Sequence, residues 1–128
     1  MSSPGRILVV EDDPDAALFA VHVLTTRGHF EVTHTADPAV ALRLAGSEHW
    51  DLVLTDFHLP GMSGLELLDA LRELAPALPV ALVTANATAA MTQAMRLSSA
   101  DECLEKPLGV NQLLDLATGL ISRGRTAR

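Results

Sequence analysis

Leu52-Val53-Leu54 is an unbroken aliphatic run that leads through Thr55 into Asp56. Aliphatic character without polar alternation marks a strand covered on both faces, the situation of a central strand in a parallel sheet. The run stops on a carboxylate, and Phe57-His58-Leu59-Pro60-Gly61 follows with a Pro-Gly turn. A carboxylate at the end of a buried strand is costly to desolvate unless a cation meets it. Two readings are open at this point. Asp56 is either a solvated strand terminus or a reactive carboxylate at the carboxyl edge of an α/β sheet, where ligands bind in such folds.

The pattern recurs along the chain. Arg6-Ile7-Leu8-Val9-Val10 is a second aliphatic run that ends in acids, Glu11-Asp12-Asp13. Pro14 suits the first turn of a helix with Asp13 as N-cap. Ala17, Leu18, Val21 and Leu24 follow at helical spacing, and Gly28 is a natural stop. Glu31 to Thr35 reads as a more exposed strand. Asp37-Pro38 then starts a helix with Val40, Ala41 and Leu44 on one face and Gly46 at its end. After Asp56, residues 63–75 predict a helix with a stripe of Leu67, Leu68, Leu71 and Leu74. Pro76 and Pro79 break the chain before a strand at Val80 to Thr84. A weakly charged helix over 87–97 follows; its Met91 and Met95 suit either a partner surface or ordinary packing. A short strand at Glu102 to Glu105, Lys106-Pro107 and a helix over 110–121 complete the series. That last helix has Leu113, Leu114, Ala117, Leu120 and Ile121 at core spacing. Strands alternating with helices five times predict an α/β fold, a doubly wound parallel sheet with helices on both faces.

The 128 residues suffice for one domain, and 48% hydrophobic content supports a packed core. We expect a domain over 1–122 and a basic tail over 123–128, either frayed or the start of a linker. The apolar runs are too short to cross a bilayer, residues 1–6 do not resemble a signal peptide, and a lone cysteine, Cys103, fits a reducing cytoplasm. Net charge is −7 although Arg123, Arg125 and Arg128 crowd the end, which argues against nucleic-acid binding by this chain alone. Lys106 is the only lysine.

Right-handed crossovers bring the carboxyl ends of all five strands to one edge, which gathers Glu11, Asp12, Asp56, Thr84 and Lys106. Carboxylates converging there repel, shift one another's pKa and require a cation. A few hard oxygen ligands suit Mg²⁺, which keeps several waters and pairs with phosphate oxygens. A hydroxyl and an ammonium facing that metal suit a phosphoryl group. The five histidines (22, 29, 34, 49 and 58) show no transition-metal spacing.

The segments ILVVEDDP, LVLTDFHLPGMSG, ALVTA and ADECLEKPL stand in an order that resembles the receiver domain of two-component response regulators. The resemblance covers about residues 6 to 121. It implies a flavodoxin-like (βα)5 fold with strand order 2-1-3-4-5. It further implies that Asp56 is the phosphoacceptor and that Asp12 and Asp56 hold Mg²⁺. The His58 backbone carbonyl would be a third ligand, and Glu11 would act through water. Thr84 would meet a phosphoryl oxygen, Lys106 would pair with Asp56 or its phosphate, and Lys106-Pro107 would be cis. Asp13 lies outside the acidic-pair position. His58 and Asn86, each two residues beyond a site residue, resemble positions that tune phosphoryl lifetime. The implied partners are a histidine kinase or phosphotransfer protein. An output domain or downstream protein would read the face of the fourth helix, fifth strand and fifth helix.

One departure concerns the readout. The family usually carries Tyr or Phe three residues before the lysine, and this chain has Cys103. A thiol cannot fill or vacate an aromatic volume, and a small core residue is the expected role. Trp50, six residues before Asp56, is too far along the strand to report Mg²⁺ binding.

Three functions compete. The first is a cytoplasmic phosphorylatable signalling module, with no enzymatic activity beyond its own phosphorylation and dephosphorylation. The second is an Mg²⁺-dependent phosphohydrolase with Asp56 as nucleophile; haloacid-dehalogenase-like enzymes place an aspartate where His58 stands. The third is a phosphorylation-independent binding module, disfavoured by the intact acidic pair, Thr84 and Lys106.

Overall fold

The structure is a computed structural model that describes residues 4–127. Five parallel strands form one sheet: β1 (Arg6–Val10), β2 (Glu31–Thr35), β3 (Leu52–Asp56), β6 (Val80–Thr84) and β7 (Glu102–Glu105). Between them β4 (His58–Leu59) and β5 (Met62–Ser63) make a separate two-residue hairpin whose turn holds Gly61 at φ 77°. The sheet order is β2-β1-β3-β6-β7, which is 2-1-3-4-5 when only the sheet strands are counted. Every residue of β3 and β6 is buried, as their unbroken aliphatic character requires.

The helices are α1 (Pro14–His22), α2 (Pro38–Ser47), α3 (Gly64–Leu74), α4 (Ala89–Leu97) and α5 (Val110–Ala127). Alternation of side chains along each strand divides the core in two. Ile7, Val9, Leu54 and Val83 pack with Ala20, Val23 and Leu24 of the first helical segment and with Leu113 and Ala117 of α5 on one face. Leu8, Val10, Val53 and Leu82 pack with Ala41 of α2, Leu67, Leu68 and Leu71 of α3 and Met95 of α4 on the other. Asp13 and Asp37 cap α1 and α2 through side-chain oxygens that accept from Asp15 and Ala39 amides, with proline at the first helical position each time. Ser63 and Glu66 close a reciprocal capping box at α3.

Four local expectations are corrected. Leu18 is 70% exposed, and the buried positions are Ala17, Ala20, Val23 and Leu24. The small Ala17 and Ala20 let α1 approach the sheet, and the helix then widens into a π turn over Val23–Arg27 before Gly28. Leu74 is 52% exposed because it lies in the last turn of α3, beside Gly46 of α2 and beyond the sheet. The helix expected from Ala87 begins at Ala89, since the Thr88 hydroxyl caps it by accepting from Met91 N. Finally, α5 does not stop at Ile121 but runs to Ala127, because no proline or helix-stopping turn interrupts 122–127. Of the expected basic tail, Arg128 lies outside the described residues, as do residues 1–3.

Candidate phosphoryl-transfer site

The carboxyl edge of the sheet gathers Glu11, Asp12, Asp56, Thr84 and Lys106 because each follows or ends a parallel strand. One carboxylate oxygen from each of Glu11, Asp12 and Asp56 lies within 4.8 Å of the others. Glu11 and Asp56 are buried and Asp12 is exposed. At that separation two full negative charges repel by roughly 3 kcal/mol at an effective dielectric of 20. Lys106 meets this charge from just beyond β7, its Nζ 2.7 Å from Glu11 Oε2 and 3.4 Å from Asp56 Oδ2. The backbone ties it to the neighbouring strand, since Lys106 N donates to the Thr84 carbonyl at 2.8 Å. The Lys106-Pro107 bond is cis.

Burial pushes the Glu11 carboxyl up from its ordinary value, and the neighbouring Asp56 charge adds to the rise against the opposing Lys106 and Asp13 contacts. For Lys106, burial works against the ammonium, yet Glu11 and Asp56 outweigh it and hold its pKa above the ordinary value. One lysine therefore serves two buried carboxylates while the exposed Asp12 adds a third negative charge, so the cluster is short of positive charge.

Two further residues shape the end of β3. His58 N donates to Asp56 Oδ1 at 3.3 Å, so His58 touches the carboxylate through its backbone while its side chain is exposed. Gly64 lies against the strand end: a Cβ there would sit 2.5 Å from the Asp56 carbonyl oxygen and 2.8 Å from Phe57 Cα. Sequence reasoning missed Gly64, because only the fold-back of the β4–β5 hairpin makes the space scarce. The glycine itself, at the start of an apolar helix, was the only available signal.

Thr84 is 1% exposed, and its Oγ1 is the one buried side-chain polar atom among the described residues with no hydrogen-bond partner. A buried unpaired hydroxyl costs about 1–3 kcal/mol, and a native fold retains one where it has another use. Asn86 is exposed in the β6–α4 loop, and no hydrogen bond joins it to the carboxylates. Asp13 lines the turn as a helix cap, its amide on Glu11 Oε1 at 3.1 Å. Cys103 is half-buried on β7, its thiol 3.7 Å from the Met95 carbonyl; burial, then the Glu102 charge, push its pKa up. Trp50 is buried beyond the start of β3, with its indole N–H on the Leu44 carbonyl and the Arg6 guanidinium 4.4 Å over its ring. A cleft of about 400 Å³ opens beside the carboxylates toward Phe19, Pro107 and Leu108.

The donor set fits a hard divalent cation: carboxylate oxygens only, gathered on one side and short of positive charge. A doubly wound α/β domain with a cluster of carboxylates, a buried unpaired hydroxyl and a lysine at its carboxyl edge is the class that fold and site define. The family described as "Response regulator receiver domain" matches residues 7–118. The sensor histidine kinase RcsC of Escherichia coli K12 is 34% identical over 122 residues, covering 95% of this chain and 13% of that protein. The structure of a CheY-like receiver domain protein from Methanospirillum hungatei JF-1 superposes at TM-score 0.91 with 28% identity, covering 98% of this chain and 100% of that one. The receiver domain of a sensor histidine kinase from Pseudomonas aeruginosa PAO1 superposes at TM-score 0.85 with 27% identity, covering 94% and 99%. That structure has a magnesium ion coordinated in its active site cleft.

The chain belongs to the response regulator receiver domain family, the phosphorylatable signalling modules of two-component systems. It spans only part of the length of curated relatives it matches, 13% of RcsC and 53% of the probable transcriptional regulatory protein SilR of Salmonella typhimurium. No helix among the described residues is long and apolar enough to cross a membrane.

Proposed function

We propose that Asp56 accepts a phosphoryl group from a phosphohistidine on a histidine kinase or phosphotransfer protein. A carboxylate oxygen of Asp56 attacks phosphorus in line. The N–P bond of the donor breaks, its electron pair stays on the imidazole, and an acyl phosphate forms on Asp56. Little covalent work falls to the protein, so rate comes from positioning and charge neutralisation. Asp12 and Asp56 would hold Mg²⁺, with the His58 backbone carbonyl as a third ligand and Glu11 through water, and the bound ion would offset charge on the phosphoryl oxygens. Lys106 transfers its ion pair from Glu11 and Asp56 to the phosphoryl group, and the Thr84 hydroxyl donates to a phosphoryl oxygen. His58 and Asn86 flank the group and set its lifetime.

The observation that carries this reading is the convergence of three carboxylates within 4.8 Å, two of them shared by one lysine. Cys103 modifies the readout rather than the chemistry. A half-buried thiol held at the Met95 carbonyl cannot move a ring in or out, so signalling reaches partners through the backbone of β7 and the α4–β7–α5 face. The module acts in the cytoplasm, where phosphohistidine donors are made, and has no catalytic role beyond its own phosphorylation and dephosphorylation.

The test is intact mass after incubation with a small acyl-phosphate donor and Mg²⁺. One phosphoryl adduct on the wild type and none on Asp56→Asn is expected. No wild-type adduct, or an undiminished one on Asp56→Asn, overturns the reading. Sustained turnover of phosphomonoesters favours the hydrolase instead.

A further inference from the structure

The β1–α1 turn that carries Glu11 and Asp12 is held from β2, a strand with no other part in the site. Val9 pairs with His34 and Val10 with Thr35 in register. The Glu11 amide adds one more rung by donating to the Thr35 carbonyl at 3.1 Å. The ladder ends there, and a side chain takes over: His34 Nε2 lies 2.8 Å from the Glu11 carbonyl oxygen. A carbonyl only accepts, so the imidazole carries its proton on Nε2.

Glu11 is thereby fixed at four atoms. Its amide and carbonyl face β2, its Oε1 accepts from Asp13 N at 3.1 Å, and its Oε2 meets Lys106 Nζ at 2.7 Å. Asp12 has no such support. It is exposed, and no hydrogen bond holds its carboxylate. What orients it is the backbone, since the Glu11 carbonyl belongs to the planar peptide that leads into Asp12. Fixing that oxygen fixes the plane and therefore the direction in which Asp12 leaves the turn.

We propose that His34 is a positioning residue for the metal-binding carboxylates. Its Nε2–H holds the Glu11–Asp12 peptide plane so that Asp12 faces Asp56 before a divalent cation arrives. The proposal rests on reading Glu11, Asp12 and Asp56 as the Mg²⁺ site. The three carboxylates that this plane helps to orient offer oxygens within 4.8 Å of one another. A ligand set already in place loses less conformational freedom on binding. Nothing in the spacing of the histidines marks His34, because its role depends on the register of β2 against β1.

The test is an Mg²⁺ titration of the metal-free protein followed by the backbone amides of residues 11–13 and 56–58 in two-dimensional NMR. His34→Ala is expected to weaken Mg²⁺ binding about three- to tenfold, the fold-change that corresponds to the net worth of one ordinary hydrogen bond. His34→Gln, whose side-chain N–H₂ can reach the same carbonyl, restores near wild-type affinity. A role confined to holding the edge strand would lower the urea midpoint and leave Gln no better than Ala. Wild-type affinity in His34→Ala, or equal weakness in Ala and Gln, overturns the proposal while leaving the site reading intact. A wild-type chain that binds no Mg²⁺ overturns both. If His34→Ala does not fold, the wild-type imidazole ¹⁵N spectrum decides: an Nε2–H tautomer supports the proposal, and an Nδ1–H tautomer overturns it.

Discussion

Replacing Gly64 by alanine tests whether the β3–α3 connection clamps the site. The added Cβ would lie 2.5 Å from the Asp56 carbonyl oxygen, 2.8 Å from Phe57 Cα and 3.2 Å from the Asp56 carbonyl carbon. All three are backbone atoms, so no side chain can rotate away, and the strand end and the helix start must separate by roughly an ångström to restore ordinary contact. That movement strains the Gly64 N–H bond to the Phe57 carbonyl, 2.6 Å in the wild type, and pulls on the Ser63–Glu66 capping box. Overpacking of this kind costs about 1–3 kcal/mol, less about 0.4–1 kcal/mol returned by the stiffer unfolded chain. The net expectation is a loss of about 1–2 kcal/mol in urea unfolding. A reacting group misplaced by about an ångström can lose on the order of a hundredfold in rate, so phosphorylation by a small acyl phosphate should fall further than stability does. Gly119→Ala is the control. It lies in α5 with nothing within 4 Å of a new Cβ, and it should gain about 0.5–1 kcal/mol and leave phosphorylation unchanged. Wild-type stability and rate in Gly64→Ala would refute the clamp.

Three further outcomes follow from the site. Thr84→Val removes the unpaired buried hydroxyl at nearly constant shape, so the metal-free protein should hold or gain up to about 1 kcal/mol in denaturant while its phosphorylation slows; a clear loss of stability would mean that the hydroxyl has a partner. Because Glu11 is harder to ionise folded than unfolded, its favourable contribution is present below about pH 4.5, the ordinary carboxyl value, and fades as pH rises through its raised folded value. In Mg²⁺-free buffer, Glu11→Gln should therefore gain on the wild type in unfolding free energy as pH rises above about 4.5, and a difference that shrinks as pH rises contradicts this. The raised pKa of Cys103 keeps it a thiol at neutral pH, so alkylation by iodoacetamide should be much slower than for a free cysteine; comparable rates would contradict its burial.

The three central strands were legible because aliphatic runs such as Leu52–Leu54 and Val80–Val83 have few other uses in a chain of mixed composition, whereas the edge strands Glu31–Thr35 and Glu102–Glu105 were read from weaker alternation and their place in the series. The edge cluster was legible because parallel strands must all deliver their carboxyl ends to one side. What escaped was set by approach across the fold. The burial of Ala20 and Val23 in place of Leu18 depends on how closely α1 lies on the sheet. The need for glycine at 64 depends on a hairpin folding back on Asp56, and the bond from His34 depends on a register that no local pattern encodes. The end of α5 was misjudged because the arginine-rich stretch reads as a solvated tail, whereas an uninterrupted helix needs no apolar face in its final turns.

The central claim is that Asp56 is the residue phosphorylated. Borohydride reduces an aspartyl phosphate to homoserine, so peptide mapping after reduction locates the modified carboxylate directly. Incubation with a phosphohistidine donor and Mg²⁺, followed by reduction, should convert position 56 alone, and omission of either the donor or the metal should abolish the conversion. Conversion at Asp12 or another carboxylate, or no conversion with both present, would contradict the account.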